Sequence, residues 1–472
     1  MKELTKLQVA IEGLTKVPTG IQGLDEITFG GLPKGRPTLV CGGAGCGKTL
    51  LAMEFLCRGA LEFGEPGVFM SFEEKEEDLL KNFASLGFDL TALIAQKKLA
   101  IDNVFIERNE IEETGEYDLE GLFVRLGLAI DSIGAKRVVL DSIEALFSGF
   151  SNESILRAEL RRLFAWLKEK GVTAIVTGEK GDASLTKHGL EEYVADCVIY
   201  LDHRMTEQIA TRRIRVIKFR GSRHETNEFP FIIGDNGISV FPITSLLLSS
   251  KVSSERISSG IKSFDRMSGG YFKGSSILVS GTAASGKTSF GAQFADSVCK
   301  SGKKVLYLAF EESEGQLTRN LGSIGIDLRH WIDKGLLRID ANRATLCGIE
   351  AHLVMMHKAV KEFNPSAVII DPITTLISPE GIVDEAKAML IRLLDFLKNE
   401  GITVLLTDLS TGDSTQIGIS SLCDTWIMLM MENCGHNRLR RITIVKSRGV
   451  KHALDTRNLI ITDKGLDITE IT

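Results

Sequence analysis

The chain has 472 residues, of which 43% are hydrophobic and 25% charged, and its net charge at pH 7 is −6. That is enough for two or three domains with full cores, in the balance of an ordinary soluble globular protein. The acidic charge offers no pull toward nucleic acid, and no run of about 18 apolar residues is present to span a membrane.

The opening MKELTKLQVAIEGLTKVPTG lacks the apolar centre of a secretory signal. Eight cysteines are scattered without CxxC pairs, several in apolar runs such as those around Cys41, Cys197 and Cys299. Reduced, buried thiols in a cytoplasmic protein are the expectation. The strand-like PTLVC is followed by GGAGCGKT, Gly42 to Thr49, and then by the helix-like LLAMEFLCRGALEF. This is the pattern of a phosphate-binding loop. Glycines let backbone N–H groups face phosphate oxygens, Lys48 reaches the β- and γ-phosphates, and the Thr49 hydroxyl can hold Mg²⁺. Gly43, Ala44, Gly45, Cys46, Gly47 and Leu50 complete the expected contact surface for ATP, with the helix N-terminus behind it.

Further along, VFMSF ends in Glu73 and Glu74, and RVVLD ends in Asp141. The amphipathic ESILRAELRRLFAWLKEKG predicts a covering helix stopped by Gly171, and TAIVTG and CVIYLD read as buried strands. RRIRVIKFRG and FPFIIGDNGISVFP predict an antiparallel pair at one sheet edge, with an Asp-Asn-Gly turn. Alternating strands and helices imply an α/β fold with a mainly parallel twisted sheet, whose nucleotide and motifs should all lie at the carboxyl ends of the strands.

Everything then recurs. PTGIQGLDEITFGGLPKG, Pro18 to Gly35, returns as SSGIKSFDRMSGGYFKG, Ser258 to Gly274. A second loop, GTAASGKT, Gly281 to Thr288, follows SSILVS and precedes TSFGAQFADSVCK. Its expected nucleotide contacts are Thr282, Ala283, Ala284, Ser285, Gly286, Lys287, Thr288 and Ser289. Lys48 and Lys287 stand 239 residues apart, Glu73 and Glu311 238, Asp141 and Asp371 230, and Arg220 and Arg448 228. So steady an offset means a tandem duplication of P-loop NTPase domains, 1–247 and 248–472, joined near the serine-rich LLLSSKVSSER, 246–256.

Asp141 and Asp371 end apolar strands, where a P-loop NTPase keeps its Mg²⁺-side acid, so Thr49, Asp141, Thr288 and Asp371 form the expected metal set. Asp141 is followed by Ser142 and Asp371 by Pro372, which predicts loops of different flexibility. Glu73 and Glu74, and Glu311 and Glu312, are candidate acids for orienting or deprotonating a nucleophile; the alternative is a solvated acidic run. KFRGSRH and KSRGVKH put a lysine and an arginine on alternate residues of a strand end. Lys218, Phe219, Arg220 and Ser222, and Lys446, Ser447 and Arg448, are therefore expected to reach the γ-phosphate of a neighbouring subunit, unless they only guard a strand edge.

The two copies part company just before one strand. Superposing Asp196 on Asp424 sets Glu192 and Tyr193 against Ser420 and Ser421. The second copy thus offers hydroxyl nucleophiles where the first has a carboxylate and a ring.

The double-domain arrangement, the SFEE and AFEE strand ends, the KxRG strands and the serine-bearing loop resemble the KaiC family of circadian-clock ATPases and autokinases. The resemblance implies two RecA-like domains stacked as a double-ring homohexamer with ATP between protomers. It implies slow hydrolysis in the first ring, with Glu73 orienting water, and reversible phosphotransfer in the second, with Glu311 as base. The acceptor pair maps onto Ser420 and Ser421, with Thr415 at the nearby threonine position. The family's clock members carry Ser-Thr, so Ser-Ser is more like clock-independent relatives. The chain ends at ITDKGLDITEIT without the family's KaiA-recruiting tail, so KaiA is not expected as a partner. The acidic stretch Glu107 to Glu120 lies where the family binds KaiB, which leaves room for a KaiB-like partner or for a plain exposed loop. A RecA-like DNA-dependent ATPase and a nucleotide-gated scaffold are the competing readings; the acidic charge and the presence of both catalytic-type acids weigh against them.

Overall fold

The computed structural model describes residues 14–104, 119–147, 153–181, 185–186, 194–206, 209–242, 253–343, 348–376, 383–409, 418–434 and 437–471. Thr415, Glu192, Tyr193 and most of the acidic stretch and of the 246–256 joint lie outside these residues. The chain divides into two units, Met1–Thr244 and Ser245–Thr472.

In the first unit the apolar runs become strands of one nine-stranded sheet. Its order is Leu99–Asn103, Gly67–Ser71, Arg137–Asp141, Thr173–Glu179, Pro37–Gly42, Cys197–Thr206, Ile209–Phe219, Glu228–Gly234, Gly237–Val240. The first six run parallel and the last three antiparallel. The second unit repeats the order with Leu337–Ala341, Val305–Ala309, Ala367–Asp371, Thr403–Leu409, Ser276–Gly281, Thr425–Cys434, Asn437–Ser447, Arg457–Thr462 and Gly465–Thr469. Both units are therefore tandem α/β domains of RecA-like type, with helices flanking a mostly parallel sheet. The central strands are apolar on both faces, as strands covered twice must be: Leu39, Val40, Ile277 and Leu278 are fully buried. The run FPFIIGDNGISVFP is a hairpin in its own right, turning between Gly234 and Gly237.

Helices Lys48–Glu62 and Lys287–Lys300 leave the two phosphate loops and cross the sheet almost entirely buried. Each carries one buried polar residue that ties it to the last hairpin. Glu54 accepts the Ile238 N–H at 2.7 Å, and Gln293 accepts the Leu466 N–H at 3.2 Å. Gly237 and Gly465, at φ 91° and 98°, let these side chains in; a Cβ there would meet Glu54 or Gln293 within 2.4 and 2.1 Å. The repeated lead-in segments also have a physical reason. Asp25 accepts the N–H groups of Thr19 and Gly20, and Asp265 that of Ser259, each closing a turn in front of a short helix. Cys41, Cys46, Cys57, Cys197, Cys299 and Cys423 are buried free thiols. No described helix is long and apolar enough to cross a membrane.

Candidate functional site: two phosphate loops and an opposed cationic edge

Each phosphate loop turns out of its strand through left-handed glycines, Gly47 at φ 104° and Gly286 at φ 105°, which start the helix behind it. Gly45, at φ 69°, matches Ala284, at φ 62°. An L-residue in that conformation costs about 1 kcal/mol, so the second loop holds its shape under local strain that the first avoids. Lys48 Nζ donates to the carbonyls of Gly42 and Gly43 at 3.0 Å, and Lys287 Nζ to those of Gly281 and Thr282 at 2.9 and 2.7 Å. Each lysine therefore lies over its own loop, at the place a phosphate would take. In the second loop the buried hydroxyls of Thr282 and Ser285 have no hydrogen-bond partner among the described residues. Buried hydroxyls want partners, and phosphate oxygens supply them. Gly43, Ala44, Ala283, Thr288 and Ser289 lie on the same loop and first helical turn, and Leu50 is buried beneath.

The strand-end acids gather beside these loops. Asp141 is buried, which pushes its carboxyl above the usual carboxylate range against the hydroxyls of Thr177 and Thr49. Asp371 accepts from Thr407 and from the buried Tyr307 hydroxyl at 2.6 Å. The strand register sets Phe69 where Tyr307 stands, so the first domain lacks this second donor. A buried carboxylate that meets the Thr49 hydroxyl beside a phosphate loop suits a hard divalent cation, so Thr49 with Asp141 could hold Mg²⁺; in the second domain Thr288 lies in the first turn behind the loop and Asp371 faces the charge of Lys287.

The catalytic-type glutamates are wired differently in the two copies. Ser142 donates to Glu73 at 2.6 Å. Pro372 replaces Ser142 and has no hydroxyl, and Glu311 makes no hydrogen bond among the described residues. Burial, then Asp371, push the Glu311 carboxyl up, opposed by Lys287. The second glutamates lean onto the next helix: Asn82 donates to Glu74 at 3.5 Å and Asn320 to Glu312 at 3.1 Å.

One more acid escaped the sequence reading. Asp408 is 1% exposed, neither carboxylate oxygen has a hydrogen-bond partner among the described residues, and Gly178 takes its place in the first domain. Burial raises its pKa from 3.8 to about 6, with Lys287 opposing. Because the folded value is the higher, the group costs nothing at pH well below 3.8 and destabilises the fold as pH rises through about 6. Asp408→Asn is thus expected to stabilise the nucleotide-free chain by about 3 kcal/mol at pH 7 and by nothing near pH 3. Calorimetric unfolding at several pH values reads this directly; an equal gain at both extremes contradicts it.

The expectation that every motif lies at the carboxyl ends of the parallel strands is corrected here. Lys446 and Ser447 end a strand antiparallel to Thr425–Cys434, with Ser447 opposite Thr425 and Lys446 opposite Trp426. Thr425 in turn lies beside Ile277, at the start of the strand that feeds the loop. The KxRG motif therefore sits toward the opposite edge of the sheet. Ser420 and Ser421 sit there too, in a short turn Ile419–Ser421 ahead of Thr425. Lys446 Nζ donates to the Ser420 carbonyl, and Arg448 donates to the Ser421 carbonyl at 2.8 Å. From the level of Ser276, which bonds Asp424, to Gly281 the strand rises roughly 16 Å. The first domain is built alike: Arg220 N–H bonds the Asp196 carbonyl at 2.8 Å as Arg448 N–H bonds that of Asp424 at 2.9 Å. Lys218 is half-buried, Phe219 is buried with Lys16 Nζ over its ring at 4.6 Å, and Ser222 donates to the Arg223 carbonyl.

Comparison with known proteins agrees with this doubled geometry. The family described as ATPase: KaiC matches residues 17–245 and again 257–472. Circadian clock protein KaiC2 of a Synechocystis species is 55% identical over 465 residues, covering 97% of this chain and 82% of that protein. Circadian clock oscillator protein KaiC of Thermostichus vulcanus is 38% identical over 464 residues, 96% of this chain and 89% of that one. Its namesake in Synechococcus elongatus is 36% identical over 468 residues, 97% and 90%.

Proposed function

The chain belongs to the KaiC family of ATPases, and from that premise we propose that it works as a homohexamer in which the first domain hydrolyses ATP and the second phosphorylates Ser420 and Ser421 of a neighbouring protomer. The observation that carries the reading is the pairing of Lys446 and Arg448 with the Ser420–Ser421 turn at the sheet edge away from the domain's own loop. Cations and hydroxyls together at that edge suit a nucleotide presented from outside.

In this mechanism Glu311 accepts the proton of a serine hydroxyl as its oxygen attacks the γ-phosphorus. The bond from that phosphorus to the β–γ bridging oxygen breaks, and ADP leaves. Lys287 follows the phosphates, and Lys446 and Arg448 offset charge developing on the transferred group. Mg²⁺ held at Thr288 and Asp371 would neutralise the β- and γ-oxygens, and Thr49 with Asp141 would hold its counterpart. In the first domain Glu73, fixed by Ser142, orients a water instead, and Lys218, Phe219, Arg220 and Ser222 form the edge that meets the neighbour's nucleotide. A timing or signalling role, extended from the names of the relatives, is part of the same proposal.

Incubation with γ-labelled ATP followed by phosphopeptide mapping tests it. Label is expected on the peptide bearing Ser420 and Ser421 and is expected to vanish in Ser420→Ala/Ser421→Ala. Undiminished label in that double variant would move the acceptor elsewhere.

A further inference from the structure

Arg157 and Arg161 lie one turn apart on the helix Glu153–Glu169 and so share a face. With Val194 and Arg220 they border a cavity of about 600 Å³. Arg220 lies 3.5 Å from Asp196, a carboxylate that Lys168 already meets at 2.6 Å. The side chains of Arg157 and Arg161 have neither a hydrogen bond nor an ion pair among the described residues. Among the described residues Arg157 and Arg161 thus bring two guanidinium groups without a facing carboxylate to one cavity, an arrangement that favours an anion between them.

The second domain is different at the same place. On its matching helix, Val383–Asn399, Lys387 stands for Arg157 and Ile391 for Arg161. Lys387 Nζ comes within 3.4 Å of where a Cβ on Gly418 would sit, and Gly418 opens the Ser420–Ser421 turn. On this helix face one domain thus presents a single lysine toward the hydroxyl-bearing turn, and the other presents two arginines toward a cavity.

We propose that this cavity is an anion site of the first domain that takes a phosphoryl group, with Arg157 and Arg161 as its donors. A guanidinium presents paired N–H groups to two oxygens of one phosphate, and two such forks on one helix face suit a pyrophosphate-like group. Two sources share that chemistry: the polyphosphate of an adjacent copy's nucleotide, and a free phosphorylated small molecule. The first rests on the trans arrangement proposed above; the second does not.

The test compares Arg157→Ala/Arg161→Ala with the parent in the full chain, both checked for matching circular dichroism and thermal unfolding. Inorganic pyrophosphate is the first probe, titrated calorimetrically into Lys48→Ala/Lys287→Ala protein, whose phosphate loops are disabled. A free anion as the source means that this protein binds pyrophosphate, more weakly as salt rises, and that removing the arginine pair weakens binding about tenfold or more. An adjacent nucleotide as the source means that pyrophosphate does not bind. The arginine pair then lowers ATP turnover about tenfold or more, measured with Glu311→Gln present to silence the second domain. Pyrophosphate affinity and turnover both unaffected by the arginine pair overturn the inference. Arg220→Ala run alongside keeps the two ideas apart. Turnover lost there but intact in the arginine-pair variant, with no pyrophosphate bound, leaves the trans arrangement standing and sinks this site.

Discussion

Glu311→Gln is expected to abolish transfer of label to Ser420 and Ser421 while the first domain continues to hydrolyse ATP. The substitution keeps the size of the side chain and one oxygen but removes the ability to take a proton. Losing a positioned general base costs roughly 10²- to 10⁴-fold, enough to put transfer below detection beside the intact chain. Glu311 suits the task because it follows directly from a buried strand, so its backbone is fixed, while its carboxylate makes no hydrogen bond among the described residues. Burial first, then the neighbouring Asp371, favour its protonated form. Only the ionised carboxylate can act as a base, so transfer should fall as pH is lowered, beginning above the ordinary carboxylate range. In Glu311→Gln any residual rate should lose that limb. Equal loss of transfer and of first-domain hydrolysis, or a residual rate within a few-fold of the parent, would overturn the division of labour between the two glutamates.

The duplication made much of this legible beforehand. Phosphate cradling needs backbone N–H groups, a lysine and a hydroxyl in one fixed order, so GGAGCGKT and GTAASGKT could be read on sight, and their constant offset gave two domains. What stayed hidden depended on which strands become neighbours. Tyr307 and Phe69 are interchangeable in a buried strand pattern, yet only Tyr307 reaches the acid of the adjoining strand. The Ser142 and Pro372 contrast is visible in the sequence as a backbone difference, whereas its consequence in the fold is a hydroxyl on Glu73 and, among the described residues, none on Glu311. Asp408 reads in the sequence as an ordinary strand-end acid, and only the neighbouring strands of the fold bury it. The KxRG motif does end a strand, but the strand runs antiparallel, and direction decides which sheet edge a strand end meets.

That reversal of edge leads to the second large expected effect. In a mixture of two defective chains, one carrying Lys287→Ala and the other Ser420→Ala/Ser421→Ala, label should appear on the Lys287→Ala chain. Its serines are intact, but its own second loop has lost the lysine that reaches the phosphates. The other chain can present ATP but has no acceptor hydroxyls. Transfer within one chain would leave both species unlabelled, because no chain then holds both halves. The roughly 16 Å of strand between the level of Asp424 and Gly281 is several times the reach needed for a serine oxygen to approach phosphorus, about 3 Å. Lys446→Ala/Arg448→Ala placed on the acceptor-bearing chain should then cost roughly 10³-fold, as loss of a cation supplied in trans does. It would also release the carbonyls of Ser420 and Ser421, so Lys446→Arg/Arg448→Lys is the companion variant, keeping charge while changing geometry. Full activity with the pair removed from the acceptor chain, but not when it is removed from the ATP-presenting chain, would assign these cations to their own domain's nucleotide. Absence of label from mixtures shown by native mass spectrometry to contain both chains would place transfer inside a single protomer.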